Sequence, residues 1–346
     1  MTSLRIWMPT IRSGSGADVF AMRLAEGLRR AGHEPIVQWL ELRYEIAPWR
    51  LKALPMPEGT DIIHTGCIPG FALRREGIPL VVTEHQYLRH PAFRPYSTGL
   101  RRLYQGMLIH RYMARTYAAA NRIVAVSHHC AEAMRGDLHR PIDVIHNWVD
   151  PDAFSPVALS RSGGPFRLLF VGNPSPWKGS DILAPLARRL GDGFTIEAMG
   201  GLRRSFTMNA SAPSNLRASP SRDSDAMPDA YREVDAVLVV SRYESFGYVA
   251  LEAMACGRAV VGFDAPGTNE VCINESTALL VPIDDLDGLA EACRRLAGDR
   301  ALSARLGCAG RKRAVTAFAE RDATARYVRV YEEVIASQAR PSAAPR

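Results

Sequence analysis

Two glutamates, Glu244 and Glu252, stand eight positions apart in the run Ser241-Arg242-Tyr243-Glu244-Ser245-Phe246-Gly247-Tyr248-Val249-Ala250-Leu251-Glu252-Ala253-Met254-Ala255-Cys256-Gly257. The apolar stretch before it (235–241) reads as a strand, so Glu244 falls in the loop that follows and Gly247 opens a helix carrying Glu252. If that helix is extended back, the spacing sets both carboxylates on nearly the same side. Amides in the first turn of a helix lack helical partners and attract anions, while carboxylates accept hydrogen bonds from vicinal hydroxyls. The pattern therefore suits a ligand that carries both phosphates and hydroxyls. Taken singly, a glutamate beside a helix N-terminus merely complements the dipole, worth ~0.3–1 kcal/mol.

Strand and helix patterns alternate around that run. A strand at 4–9 leads into Ser13-Gly14-Ser15-Gly16 and a helix that Gly32 ends; further strands are expected at 36–40, 61–66, 79–85 and 122–127, with helices near 98–120 and 128–136. The pattern pauses at Phe154-Ser155-Pro156, and 160–165 is the most linker-like interior stretch. It then restarts with strands at 166–172, 194–201, 235–241, 258–263 and 278–282, and helices at 181–190, 228–233, 247–256, 285–297, 300–318 and 322–337. Such alternation predicts parallel sheets covered on both faces, with ligands at the carboxyl ends of the strands.

Composition narrows the class. A chain of 346 residues with 47% hydrophobic and 23% charged residues fits two ordinary folded domains and excludes disorder, collagen and a disulfide scaffold. Six cysteines (67, 130, 256, 272, 293 and 308) form no CxxC pair or Cys/His cluster, so no metal site is expected and a reducing cytoplasm fits best. No signal-peptide pattern and no bilayer-length apolar run is seen. The net charge is +7, and nine arginines between residues 71 and 122 (74, 75, 89, 94, 101, 102, 111, 115 and 122) face only Glu76 and Glu84. That segment is either a docking surface for something anionic or a solvated basic face.

The run 241–257 resembles the ExxxxxxxE motif of the family 4 retaining glycosyltransferases, in spacing and in flanking residues, and the resemblance extends over most of the chain. In that family a strand ending Phe-Val-Gly-Arg is followed by Lys-Gly, and the two cations hold the donor diphosphate. This chain has Phe170-Val171-Gly172-Asn173-Pro174-Ser175-Pro176-Trp177-Lys178-Gly179, so Lys178 matches the lysine and Asn173 replaces the arginine. Either Arg203 or Arg242 supplies the missing charge, or Lys178 and helix amides suffice. Gly14-Ser15-Gly16-Ala17 resembles the family's glycine-rich turn, where backbone approaches the phosphates. Alone, GxG would suit a nucleotide-dependent dehydrogenase equally, but Val19 stands where GxGxxG needs glycine. Val81-Val82-Thr83-Glu84-His85 resembles the fourth-strand end whose histidine faces the transferred sugar, which singles out His85 over His128, His129 and His146. Ala125-Val126-Ser127 and Ile145-His146-Asn147-Trp148-Val149-Asp150 match further signatures, with Trp148 in place of a glycine, and 266–271 and 278–282 match the closing segments.

The resemblance implies an α/β, GT-B architecture of two doubly wound Rossmann-like domains facing a central cleft. Residues 1–158 would form the acceptor-side domain, 159–320 the nucleotide-sugar domain, 321–337 a helix crossing back to the first, and 338–346 a disordered tail. It implies retaining transfer of a hexose from a nucleoside diphosphate sugar to an acceptor hydroxyl, in envelope polysaccharide, lipopolysaccharide or glycolipid synthesis. Glu244, His85 and Lys178 are the expected catalytic set. Gly14, Gly16, Asn173, Lys178, Glu244, Ser245, Phe246, Gly247 and Glu252 would bind the donor, Glu252 through the ribose. A front-face route, in which the departing phosphate helps deprotonate the acceptor, needs no covalent nucleophile. No cofactor or metal is expected, the nucleotide sugar being a co-substrate, and no nucleic acid. The acceptor would be a glycan or lipid-linked, and in family members of this type the first domain often rests on an anionic membrane. That makes the cytoplasmic face of an inner membrane the expected partner of 71–122. A nucleotide-sugar epimerase of the same fold, or a non-catalytic nucleotide-sugar binder, is the alternative.

Overall fold

Short runs rich in valine, isoleucine and leucine become strands buried on both faces, which is the environment of a parallel sheet. A computed structural model of the chain describes residues 3–96, 99, 105–157, 163–201, 206–208 and 211–339. Among them are twelve strands: β1 (Arg5–Ile11), β2 (Glu34–Leu40), β3 (Ile62–Gly66), β4 (Leu80–Glu84), β5 (Arg122–Ala125), β6 (Asp143–Val144), β7 (Phe166–Val171), β8 (Phe194–Met199), β9 (Leu216–Ser219), β10 (Ala236–Val239), β11 (Ala259–Phe263) and β12 (Ala278–Val281). They form two six-stranded sheets, ordered β2-β1-β3-β4-β5-β6 and β12-β11-β10-β7-β8-β9, and every pairing within them is parallel. β6 and β9 were not anticipated. The first has two residues, and the second is a largely exposed edge strand with no apolar run to mark it.

The chain divides into two units. The first comprises the described parts of Met1–His90, Ser97–His146 and Glu320–Arg346. Its helix Gly16–Arg30 starts at Ser15, whose hydroxyl accepts from the Ala17 amide, and buries Phe20, Ala21, Leu24, Ala25 and Leu28. The helix His110–Ala119 buries Tyr112, Met113, Thr116 and Tyr117 and exposes Arg111, Ala114, Arg115 and Ala118. Arg101 and Arg102, with Leu100 and Leu103, lie outside the described residues. The final helix, Glu320–Ala339, belongs to this unit although the span Asn147–Ala319 of the other immediately precedes it. It buries Tyr327 and Tyr331 completely, and Arg326 donates to the Val144 carbonyl. Gly27 lets it approach, since a Cβ there would lie 2.3 Å from Thr324 Oγ1. No described helix is long and apolar enough to cross a membrane.

The second unit comprises the described parts of Pro91–Tyr96 and Asn147–Ala319. Three arginines explain why the stretch before β7 packs here. Arg232 donates to the Ala153 and Ser155 carbonyls, Arg258 to that of Val157, and Arg311 to those of Pro151 and Phe154. Trp148, at the position expected to hold a glycine, is 1% exposed and so is a core residue. Helices Leu286–Gly298 and Arg300–Ala317 are capped by Asp285 and Asp299, each accepting a backbone amide.

Buried polar groups tie the final helix to the first sheet. His64 on β3 is 3% exposed, with Nδ1 2.6 Å from the Tyr331 hydroxyl and Nε2 2.8 Å from the Thr83 hydroxyl. Burial lowers its pKa from 6.5 to about 3, so it is neutral in the folded protein. Unfolding lets it take up a proton below about pH 6.5, so its penalty to stability is absent above that pH and grows as the pH falls toward 3. Between pH 6.5 and 4 the melting temperature of His64→Gln should therefore fall less steeply than that of the wild type. Parallel curves in a thermal-melt series would contradict this.

Candidate functional site

The strand order of the second sheet reverses between β7 and β10, which are neighbours in space but not in sequence. In open α/β sheets, ligands bind beyond the carboxyl ends of strands at such a switch point. The loops that leave β7 and β10 here carry Lys178 and Glu244.

Lys178 Nζ donates to Glu244 Oε1 at 2.6 Å, and the Ser241 hydroxyl donates to the same oxygen at 2.6 Å. Both charged side chains are mostly buried, 25% and 15% exposed. Gly179 makes the approach possible. Its φ is +74°, and a Cβ there would stand 2.1 Å from the Val240 carbonyl oxygen. Gly267, at φ +83°, likewise leaves room for the Glu244 carbonyl, while the Glu244 amide donates to Pro266 O at 3.0 Å.

Gly247 does not open the helix as the sequence suggested. It is the cap, left-handed at φ +100°, and the helix runs from Tyr248 to Ala255. The helix therefore cannot be extended back to Glu244, and the idea that helical periodicity aligns the two carboxylates is corrected. Separate hydrogen bonds fix each one: Glu252, in the second turn, accepts at 3.0 Å from the hydroxyl of Tyr231, itself fully buried. Leu251 is the first residue whose amide reaches back to Gly247 O, so the amides of Tyr248, Val249 and Ala250 precede the helical ladder and form an anion-attracting end. Ser245 is half-buried and Phe246 buried beside that end.

Arg242, one of the candidates to replace the missing arginine, is engaged elsewhere. It is 8% exposed and grips Asp181 with two bonds of 2.8 Å, Asp284 at 2.6 Å and the Pro176 carbonyl. The Asp181 and Asp284 carboxylates raise its pKa, and its charge is neutralised within the protein. Arg242 is thus the clamp that shapes the Lys178 loop. Arg203 lies outside the described residues. Asn173 sits against Gly201 at the end of β8, where a Cβ would meet its Oδ1 at 2.9 Å.

In the first unit, the Gly14 turn is closed on itself. The Asp18 carboxylate accepts from the Gly14 amide at 2.7 Å and from the Ser13 amide at 3.1 Å, so the Gly14 amide is already engaged, while Gly16 begins the helix. His85 follows β4, its ring 4.5 Å from that of Phe20, and burial pulls its pKa down to about 4. Its imidazole is therefore uncharged near neutrality. Beside it the Glu84 carboxyl is fully buried, accepting from the Tyr117 hydroxyl and, at 2.8 Å, from the Gln86 amide. Burial raises its pKa. Of the nine arginines in 71–122, Arg75 bonds backbone carbonyls, Arg89 pairs with Asp137, and Arg122 pairs with Asp143 and Glu333. Arg74, Arg94, Arg111 and Arg115 are exposed.

Sequence reasoning missed Ser241, Tyr231, Asp181 and Asp284 as supports of the site. Ser241 lay within the motif and could have been singled out; the others come from distant segments.

Comparison with known families decides what these loops belong to. Residues 165–299 match the family model described as "Glycosyl transferases group 1", and residues 36–153 match "Glycosyltransferase Family 4". The chain belongs to glycosyltransferase family 4. Relatives of this family 4 chain include the D-inositol 3-phosphate glycosyltransferases of Mycobacteroides abscessus, 28% identical over 71% of the chain and 60% of the relative, and of Xylanimonas cellulosilytica, 29% identical over 82% and 73%. The sucrose-phosphate synthase of Thermosynechococcus elongatus superposes with a TM-score of 0.79 over 96% of the chain and 100% of its own, at 20% identity. Anabaena HepE, solved in complex with UDP and glucose, gives 0.75 over 95% and 99%, at 18% identity. These likenesses bear out the GT-B fold of two Rossmann-like domains.

The contact at Gly179 predicts a measurable cost. Gly179→Ala imposes a left-handed alanine and a clash with Val240, and should lower stability by about 2–3 kcal/mol in urea denaturation. A loss under 0.5 kcal/mol would mean that the loop is not held as described.

Proposed function

We propose that this family 4 chain is a retaining glycosyltransferase that moves a hexose from a nucleoside diphosphate sugar to an acceptor hydroxyl. The carrying observation is the Lys178–Glu244 pair beside the first turn of the helix Tyr248–Ala255. It sets a cation and amide donors where a diphosphate leaving group would gather charge, next to a carboxylate that can take sugar hydroxyls. The names of the relatives, and solved neighbours that hold UDP or UDP-glucose, support a nucleotide sugar as donor.

In this reading Lys178 and the helix amides stabilise the departing diphosphate without a metal. Glu244 positions the sugar, with Ser245, Phe246 and Gly247 around it, and Glu252, aligned by Tyr231, binds the ribose hydroxyls. Asn173 and Gly16 line the phosphates, whereas Gly14 keeps the turn in shape through Asp18. His85 meets the transferred sugar as a neutral imidazole, which can accept or donate a hydrogen bond without adding charge. The departing phosphate accepts the acceptor proton on the front face, so the anomeric configuration is kept. A role in envelope polysaccharide, lipopolysaccharide or glycolipid synthesis fits such an acceptor.

The test is a transfer assay with UDP-, GDP- and ADP-hexoses, the product anomer read by NMR. Glu252→Ala should raise the donor KM, and Glu244→Ala should lower kcat. Each loses a charged hydrogen-bond partner worth about 1.5–3 kcal/mol, roughly 10- to 150-fold. Initial rates should persist in EDTA. Inverted product, or equal small effects of both substitutions, would overturn the assignment, and rescue of an EDTA-dead enzyme by magnesium would overturn the metal-free part.

The exposed arginines of 71–122 are also proposed to meet an anionic membrane, each contributing about 1 kcal/mol near the surface, an effect that salt screens. Phosphatidylglycerol vesicles should pellet the wild type at low salt but not at high salt, and Arg111→Glu with Arg115→Glu should weaken pelleting. No pelleting at low salt would leave a solvated basic face.

A further inference from the structure

The segment Pro91–Tyr96 is out of place in the chain. It follows β4 and His85 of the first unit and is followed by Ser97 of the same unit, yet it packs in the second. Its anchor is Phe93, 0% exposed. The Phe93 ring lies 5.3 Å from that of Trp177 and 5.7 Å from that of Tyr243, centroid to centroid. Trp177 immediately precedes Lys178, and Tyr243 immediately precedes Glu244. Phe93 therefore packs beside the neighbour of each member of the charged pair.

The same segment reaches the clamp. The Tyr96 ring lies 5.9 Å from the guanidinium of Arg242. The Arg242 amide donates to Trp177 O at 2.8 Å, and its side chain holds Asp181 beyond the lysine. The Lys178 loop is thus held both by Arg242 and by an aromatic ring from a distant part of the sequence.

We propose that Phe93 is a positioning residue of the donor site, whose ring sets how far Lys178 stands from Glu244 and so how well the lysine meets a diphosphate. This rests on the donor reading given above. Its effect passes through Trp177 to Lys178.

A double-mutant cycle on the full chain tests this, with the dissociation constants of UDP, GDP and ADP read by displacement titration. Phe93→Ala should weaken the preferred nucleoside diphosphate about 5- to 10-fold, and in a Lys178→Ala background the same change should fall below about twofold, as coupled residues require. Trp177→Leu, which removes the same contact from the other side at a partly exposed residue, should repeat the pattern, and Phe93→Leu should restore most of the affinity. A purely structural role would lower the melting temperature while leaving equal effects in both backgrounds, and that result, or wild-type affinity in Phe93→Ala, would overturn the proposal. Failure of the wild type to bind any of the three diphosphates would instead overturn the donor reading, and this inference with it.

Discussion

Lys178 and Glu244 lie 66 positions apart in sequence and meet at 2.6 Å because β7 and β10 are neighbours at the point where the second sheet reverses its order. That adjacency governs the rest of the site. Two loops must leave the sheet side by side, turn within a few residues and present opposite charges to each other without collapsing. Gly179 and Gly267 give the backbone the left-handed turns and the close approaches this needs. Ser241 shares the glutamate oxygen, and Arg242 fixes the far side of the lysine loop. An ion pair this sheltered is costly to leave half made, so the supports around it are as much a part of the site as the pair itself.

The arginines show how little a count of charges says about binding. Many of them hold the chain together. Arg232, Arg258 and Arg311 grip the carbonyls of residues 151–157, Arg313 those of Glu270 and Val271, and Arg75 that of Leu54. A guanidinium presents several donors in a planar fork, which suits it to collect carbonyls that no strand or helix satisfies. The basic surplus of residues 71–122 is reduced in the same way, by the pairs of Arg89 and Arg122 with acids from later in the chain.

The first unit relies on neutral polar groups kept dry. His64, Thr83, Tyr327 and Tyr331 form a chain of hydrogen bonds between the sheet and the final helix, and desolvation keeps the imidazole uncharged. The same desolvation lowers the pKa of His85, which follows β4, to about 4 and raises that of the buried Glu84.

The sequence by itself determined the class of fold, the positions of ten strands and the motif residues Lys178, Glu244 and Glu252, because these signals are local: apolar runs, glycine turns and fixed spacings within one loop and helix. It could not reveal β6, whose two residues carry no pattern, nor β9, an edge strand of four residues in which Arg217 and Ala218 are exposed and no apolar run marks the strand. Only the tertiary structure decided that Gly247 is a left-handed cap, that Tyr231 aligns Glu252, that Arg242 is bound by Asp181 and Asp284, and that Phe93 reaches across the chain to Trp177 and Tyr243. Apart from the backbone turn at Gly247, each of these is a contact between residues far apart in sequence, made by strand order and burial, and no local pattern of residue types specifies which distant partner a side chain will meet.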